Sequence, residues 1–295
     1  MNPIYSRFLC LQLLSLLARG LAVKPKAVAV SDSNLHVRPA VRTVNTNGFQ
    51  LTEGGDVGYW LVHIMNGQRF ICGASYYSSL YVLTSANCMY RYRKSLNTMS
   101  VEYVNPRMDQ ENKIAQIESV SVPKNYQYPD NYMDIAVVKL RRNLTGSPDT
   151  VRLCSQPLRR YPKFTAVACG VDPGGSFDRT ATDDVAIMPK RFCQPLYNKD
   201  KLRISETIAC VREWNNYRYR MYEFGCPVTA GNNELCGIVA WGPQLESEHP
   251  GLFTDIYQVK GFILKVVRGV YVDSRQLSKR TRRIRPKRMH RTWAR

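Results

Sequence analysis

The chain has 295 residues, of which 44% are hydrophobic and 22% charged, and its formal net charge is +19. This is enough apolar sequence to bury a core in one large all-β domain or two small ones, so a disordered chain is excluded. No mid-chain run approaches the length needed to span a bilayer.

In chain order, residues 1–22 read as a secretory signal. Arg7 supplies the positive start, Phe8 to Ala18 the short apolar stretch, and Gly20-Leu21-Ala22 the small residues for cleavage after Ala22. The expected location is therefore secreted and extracellular. Removing the signal also removes Cys10 and leaves Cys72, Cys88, Cys154, Cys169, Cys193, Cys210, Cys226 and Cys236. An even set in an exported chain implies a disulfide framework, whose pairing the spacing alone does not choose. No C-x-x-C pair occurs and His36, His63, His249 and His290 are scattered, so neither a metal nor a cofactor is expected.

Residues 23–50 are polar and patternless, with Lys24-Pro25-Lys26 and Arg38-Pro39, and read as an N-terminal extension. Short β-branched and aromatic runs follow between turn signals. They include Trp60 to Ile64, Leu80 to Thr84, Ile135 to Leu140 and Leu235 to Trp241, and they predict an antiparallel barrel or sandwich. Asn143-Leu144-Thr145 is a glycosylation sequon after one of these strands. One helix is predicted over Tyr257 to Val270, where Val259, Phe262, Ile263, Val266, Val267 and Val270 recur at helical steps. Residues 271–295 form a basic tail with ten Lys/Arg against one acid, Asp273. Such a run reads as solvated and disordered.

Four segments carry a recognisable pattern. Cys72-Gly73-Ala74-Ser75 precedes Leu83-Thr84-Ser85-Ala86-Asn87-Cys88, and then comes Asp134-Ile135-Ala136-Val137-Val138-Lys139-Leu140. Glu223-Phe224-Gly225-Cys226-Pro227 follows, and last come Gly237-Ile238-Val239-Ala240-Trp241-Gly242 and Pro250-Gly251-Leu252-Phe253-Thr254. In order and spacing these resemble the C-G-G-S … A-A-H-C, D-I-A, D-S-G-G-P and G-I-V-S-W-G … P-G-V-Y-T segments of chymotrypsin/trypsin-like serine proteases. Over residues 51–270 the resemblance implies an all-β fold of two packed antiparallel six-stranded β-barrels with a C-terminal α-helix. It also implies a cleft between the barrels where such enzymes carry their site.

At the positions the resemblance assigns to the catalytic triad stand Asn87, Asp134 and Phe224. The mechanism needs a hydroxyl nucleophile, an imidazole base, an orienting carboxylate and oxyanion donors. An amide takes no proton near neutral pH, and a phenyl ring has nothing to attack with. Only the carboxylate position keeps its residue type, and the Asn87 side-chain amide is expected to donate to it. Tyr222 stands at an oxyanion glycine, and Glu223 at the aspartate that normally receives the freed N-terminal amine. No basic cut site stands directly before Phe49 to Gly55 for activation. The former specificity pocket maps to Arg218, Arg220, Ala240, Trp241 and Gly242, with Arg220 replacing a bridging cysteine. Phe224 and Tyr222 are available to fill the cleft.

For the cysteines, the resemblance implies Cys72–Cys88 and Cys193–Cys210. Cys169 precedes Gly170-Val171, which resembles the family's G-W-G, and this favours Cys169–Cys226, leaving Cys154–Cys236.

The resulting expectation is a secreted, inactive protease homologue of the insect non-catalytic type. It would bind an extracellular protein, an active protease or its substrate, as regulator, cofactor or decoy in a proteolytic or reproductive-fluid pathway. One alternative is polyanion binding, to a glycan or membrane surface, through Lys279, Arg280, Arg282, Arg283, Arg285, Lys287 and Arg288 of the tail. Nucleic acid fits an exported chain poorly. The other alternative is residual endopeptidase activity.

Overall fold

The computed structural model describes residues 50–53, 60–104, 114–127, 131–144, 149–170, 179–199, 201–212, 223–231, 233–241 and 249–271. The signal, most of the N-terminal extension and nearly all of the basic tail lie outside the described residues.

The first strand, β1 (Gln50–Glu53), starts one residue earlier than the expected domain boundary. Six strands then close a barrel: β2 (Leu61–Asn66), β3 (Arg69–Ser78), β4 (Tyr81–Thr84), β5 (Met99–Tyr103), β6 (Ile114–Ser121) and β7 (Ala136–Leu140). They pair around the ring in the order β2-β3-β4-β7-β6-β5. In β6 the alternation of exposed Ile114, Gln116 and Glu118 with buried Ala115 and Ile117 is the period of two that a one-sided strand requires. In contrast, β2 is buried from Leu61 to Met65. Val62 and Ile64 lie on one face of the strand, and His63 on the other accepts cover from Phe70, edge-on at 4.9 Å, and bonds to the Cys169 backbone.

The second barrel contains β9 (Phe164–Val167), β10 (Arg179–Met188), β11 (Ile208–Arg212), β12 (Pro227–Ala230), β13 (Glu234–Trp241) and β14 (Gly251–Asp255). Its antiparallel ring runs β9-β10-β11-β14-β13-β12 and closes back onto β9. Two further strands attach to it. β1 pairs with β10, and β8 (Arg152–Leu153) runs parallel to β13. Fully buried Ile64, Leu83, Met99, Ile117 and Leu140 in the first barrel, with Phe164 and Phe253 in the second, belong to one continuous apolar core. Each such side chain contributes about 1.5–3 kcal/mol by leaving water.

Three α-helices complete the described fold, beside a 3-10 turn at Leu158–Arg160: α1 (Ala86–Tyr90), α2 (Lys190–Tyr197) and α3 (Ile256–Val267). Asp255 caps α3 by accepting from the Tyr257 N–H at 3.0 Å, and Ile256, Val259, Phe262 and Ile263 form its buried stripe. The helix ends before the predicted limit. Gly269 adopts a φ of +71°, the left-handed turn that stops a helix, and Val270 is left 69% exposed. The sequence predicted one helix, so α1 and α2 are corrections. α1 has only five residues, and α2 has eight with Pro195 inside, too little for a periodic signal.

Four disulfides use all eight remaining cysteines: Cys72–Cys88, Cys154–Cys236, Cys169–Cys226 and Cys193–Cys210. These are the pairs favoured above. Cys72–Cys88 ties β3 to α1, and Cys193–Cys210 ties α2 to β11.

Candidate functional site

The site is built where β4 runs into α1. Ser85 caps this helix, its Oγ accepting from the Cys88 N–H at 3.4 Å. The same hydroxyl lies 2.9 Å from each carboxylate oxygen of Asp134, and the Asn87 backbone N–H donates to Oδ1 at 2.7 Å. The first N–H groups of a helix have no partner within it, so a carboxylate placed here satisfies them. This corrects the expected side-chain link: the main chain of Asn87, not its amide, reaches Asp134. The side chain of Asn87 is half-buried.

Asp134 is fully buried. Burial pushes its carboxyl up to about 6, and the donors Asn87 N–H, Ser85 hydroxyl and Ala86 N–H act against that rise. Its segment is also fastened to the second barrel. Thr254 Oγ1 donates to the Asp134 carbonyl at 2.8 Å, and the Met133 N–H donates to Thr207 Oγ1 at 2.9 Å. Asp134 therefore holds the start of α1 through its side chain and the second barrel through its main chain.

The other triad position comes to the same junction. Phe224 is half-buried and packs against the main apolar core. Its carbonyl accepts from the Gly73 N–H at 3.1 Å, and the Gly73 carbonyl accepts from Thr84 Oγ1 at 2.7 Å. Gly225 turns the chain here with a φ of +87°, and a Cβ on it would overlap the Gly73 carbonyl and Thr84 Oγ1. Gly73 is equally confined, since a Cβ there would land on Cys169 Sγ. Glu223 opens this turn; burial raises its carboxyl above the ordinary range.

Of the expected pocket residues, Ala240 is fully buried in a small second core with Cys193, Tyr197, Leu202 and Leu252. Trp241 ends β13 opposite Leu252. Arg218, Arg220, Tyr222 and Gly242 lie outside the described residues, as do the tail cations Lys279 to Arg288. Asn143 is exposed just after β7.

Sequence reasoning missed the depth of His63, whose imidazole burial pushes down to about 4. It also missed Lys190 and Asp255. Burial raises the Asp255 carboxyl to about 6, while Lys190 nearby acts to lower it. Alternation marks His63 as one face of a strand, but nothing local says that a second barrel covers that face. Among the described residues no three His, Cys, Asp or Glu side chains converge into a metal-binding group.

The geometry provides a buried carboxylate held by one hydroxyl and backbone N–H groups, beside a turn that presents a phenyl ring. Comparison with known proteins places this junction in context. A family profile described as Trypsin matches residues 47–263. Seminase of Drosophila melanogaster is 28% identical over 244 residues, covering 81% of this chain and 88% of that protein. Hypodermin-A of Hypoderma lineatum is 22% identical over 217 residues, covering 70% and 81%. Among solved structures, neuropsin, a serine protease expressed in the limbic system of mouse brain, superposes with a TM-score of 0.59 at 21% identity. That match covers 71% of this chain and 94% of neuropsin. Kallikrein-related peptidase 10 gives 0.56 at 18% identity, covering 72% and 96%. With the two closed barrels, the C-terminal helix and the profile match over most of its length, the chain belongs to the trypsin family of serine proteases.

Proposed function

We propose that this chain is a secreted, catalytically inactive member of the family that works by binding another extracellular protein. It acts as a regulator, cofactor or decoy in a proteolytic or reproductive-fluid pathway. One observation carries the reading: Asn87 stands at the base position and holds Asp134 through its backbone, while Phe224 stands at the nucleophile position. A serine-type mechanism needs a hydroxyl whose proton passes to an imidazole and returns to the leaving group. Phe224 has no hydroxyl, and Asn87 has no basic nitrogen. The Asp134 carboxylate is engaged by Ser85 and Asn87 at the barrel junction, a structural role that leaves it no imidazole to orient.

The disulfides support export, because four bridges persist in an oxidising compartment. A fluorophosphonate probe tests the inactive state, and no labelling is expected. Labelling that survives Phe224→Ala would reveal another nucleophile and overturn the reading. Affinity capture from the native fluid tests the binding role, with a chain lacking residues 271–295 as a second bait. Retention of a defined protein by both baits is expected, and retention of none defeats that part.

A further inference from the structure

The outer face of α2 carries an apolar stripe that the fold leaves in water. Cys193 and Tyr197 turn inward and pack on the small core with Leu202, Ile204 and Ile208. Phe192 and Leu196, each one residue earlier, lie beside that buried pair on the helix surface, and they are 58% and 39% exposed. Pro195 between them is also exposed. The apolar side of α2 is thus wider than the core it covers, and its outer half projects from the protein.

Cations frame the projecting half. Arg191 lies over the Phe192 ring at 4.8 Å. Lys199, Lys201 and Arg203 are exposed, flanking the buried Leu202 and Ile204. Lys190 is turned instead to the Ser205 carbonyl. Residues 190–203 hold five Lys/Arg and one acid, Asp200.

We infer that this face docks on an anionic phospholipid surface, with Phe192 and Leu196 entering the headgroup boundary and Arg191, Lys199, Lys201 and Arg203 facing lipid phosphates and carboxylates. Charge argues against a second copy as the occupant, because Arg191, Lys199, Lys201 and Arg203 of the two chains would be brought together. Size argues against a protein partner. A stable interface needs roughly 800 Å² on each side, and two projecting side chains with their cations make a small patch. A bilayer needs no matching groove, only an apolar tip with cations around it. The residues named here are distinct in sequence from the basic tail and from the Asp134 and Phe224 positions.

The test is cosedimentation of the full chain with phosphatidylcholine vesicles, with and without phosphatidylserine. Binding is expected only with phosphatidylserine, and it should weaken as salt rises. Phe192→Ser with Leu196→Ser should lower the partition constant about tenfold or more, and Arg191→Glu with Lys199→Glu should lower it similarly. Circular dichroism of each variant shows whether it has kept its fold. Phe192→Trp gives an independent readout: binding should persist, with a blue shift of the added tryptophan's emission over the same vesicles. Undiminished binding by the Ser variant overturns the inference, since another element such as the tail then carries it. Equal binding to uncharged vesicles also overturns it. So does an absence of vesicle binding accompanied by a dimer that the Ser variant abolishes.

Discussion

The Ser85 hydroxyl stands 2.9 Å from both oxygens of the Asp134 carboxylate while its Oγ also accepts from the Cys88 N–H. One buried side chain therefore starts α1 and satisfies the acid that joins the barrels. Ser85→Ala removes a cap and leaves a buried carboxylate short of a donor. The expected loss of stability at neutral pH is about 1–3 kcal/mol, read by urea unfolding. A change below a few tenths would mean that Asp134 is held well enough by its backbone donors alone.

The same acid sets a pH dependence. Its carboxyl stands at about 6 in the fold against an ordinary 3.8, so between these values the folded state holds the extra proton. Its stabilising contribution is full below the ordinary value and is lost as pH rises through about 6. Asp255, also at about 6, acts in the same direction. His63, lowered from 6.5 to about 4, acts in the opposite one, adding stability as pH rises across that window. A single variant isolates the Asp134 part. The cost of Asp134→Asn should shrink by on the order of 3 kcal/mol between pH 4 and pH 7.5. Equal costs at the two pH values, measured by denaturant titration, would place Asp134 near its ordinary range.

Two glycines separate crowding from backbone strain. Gly73→Ala would drive a methyl group onto Cys169 Sγ at the barrel junction, and a loss of about 3 kcal/mol is expected. Gly67, at a φ of +59° with open space around it, should lose only about 1 kcal/mol on the same change. Thermal unfolding of both variants ranks them. The reverse order would mean that the barrels part easily at Gly73.

Asn143 is exposed, and its sequon is complete in the sequence. The protein secreted from a eukaryotic cell should run faster on a gel after treatment with an amidase that removes N-glycans, and Asn143→Gln should abolish that shift. An unchanged mobility in the untreated variant would show the site to be unused.

Much of this protein is legible along the chain because its signals are local. β-branched runs mark the strands, and the four patterned segments identify the fold and the positions Asn87, Asp134 and Phe224. The cysteine count implies a disulfide framework, and the family resemblance favours the pairs that form. Other features depend on what lies across the fold. α2 escaped notice because its apolar repeat, Phe192 and Cys193 with Leu196 and Tyr197, spans little more than one turn and contains Pro195. The burial of His63 is set by the second barrel, and the Asn87–Asp134 link runs through an N–H that any residue but proline would carry. Residue types and their spacing determine which chemistry is present at a position. Only tertiary structure decides which backbone groups meet a buried charge, and which half of an apolar helix face finds no core to cover it.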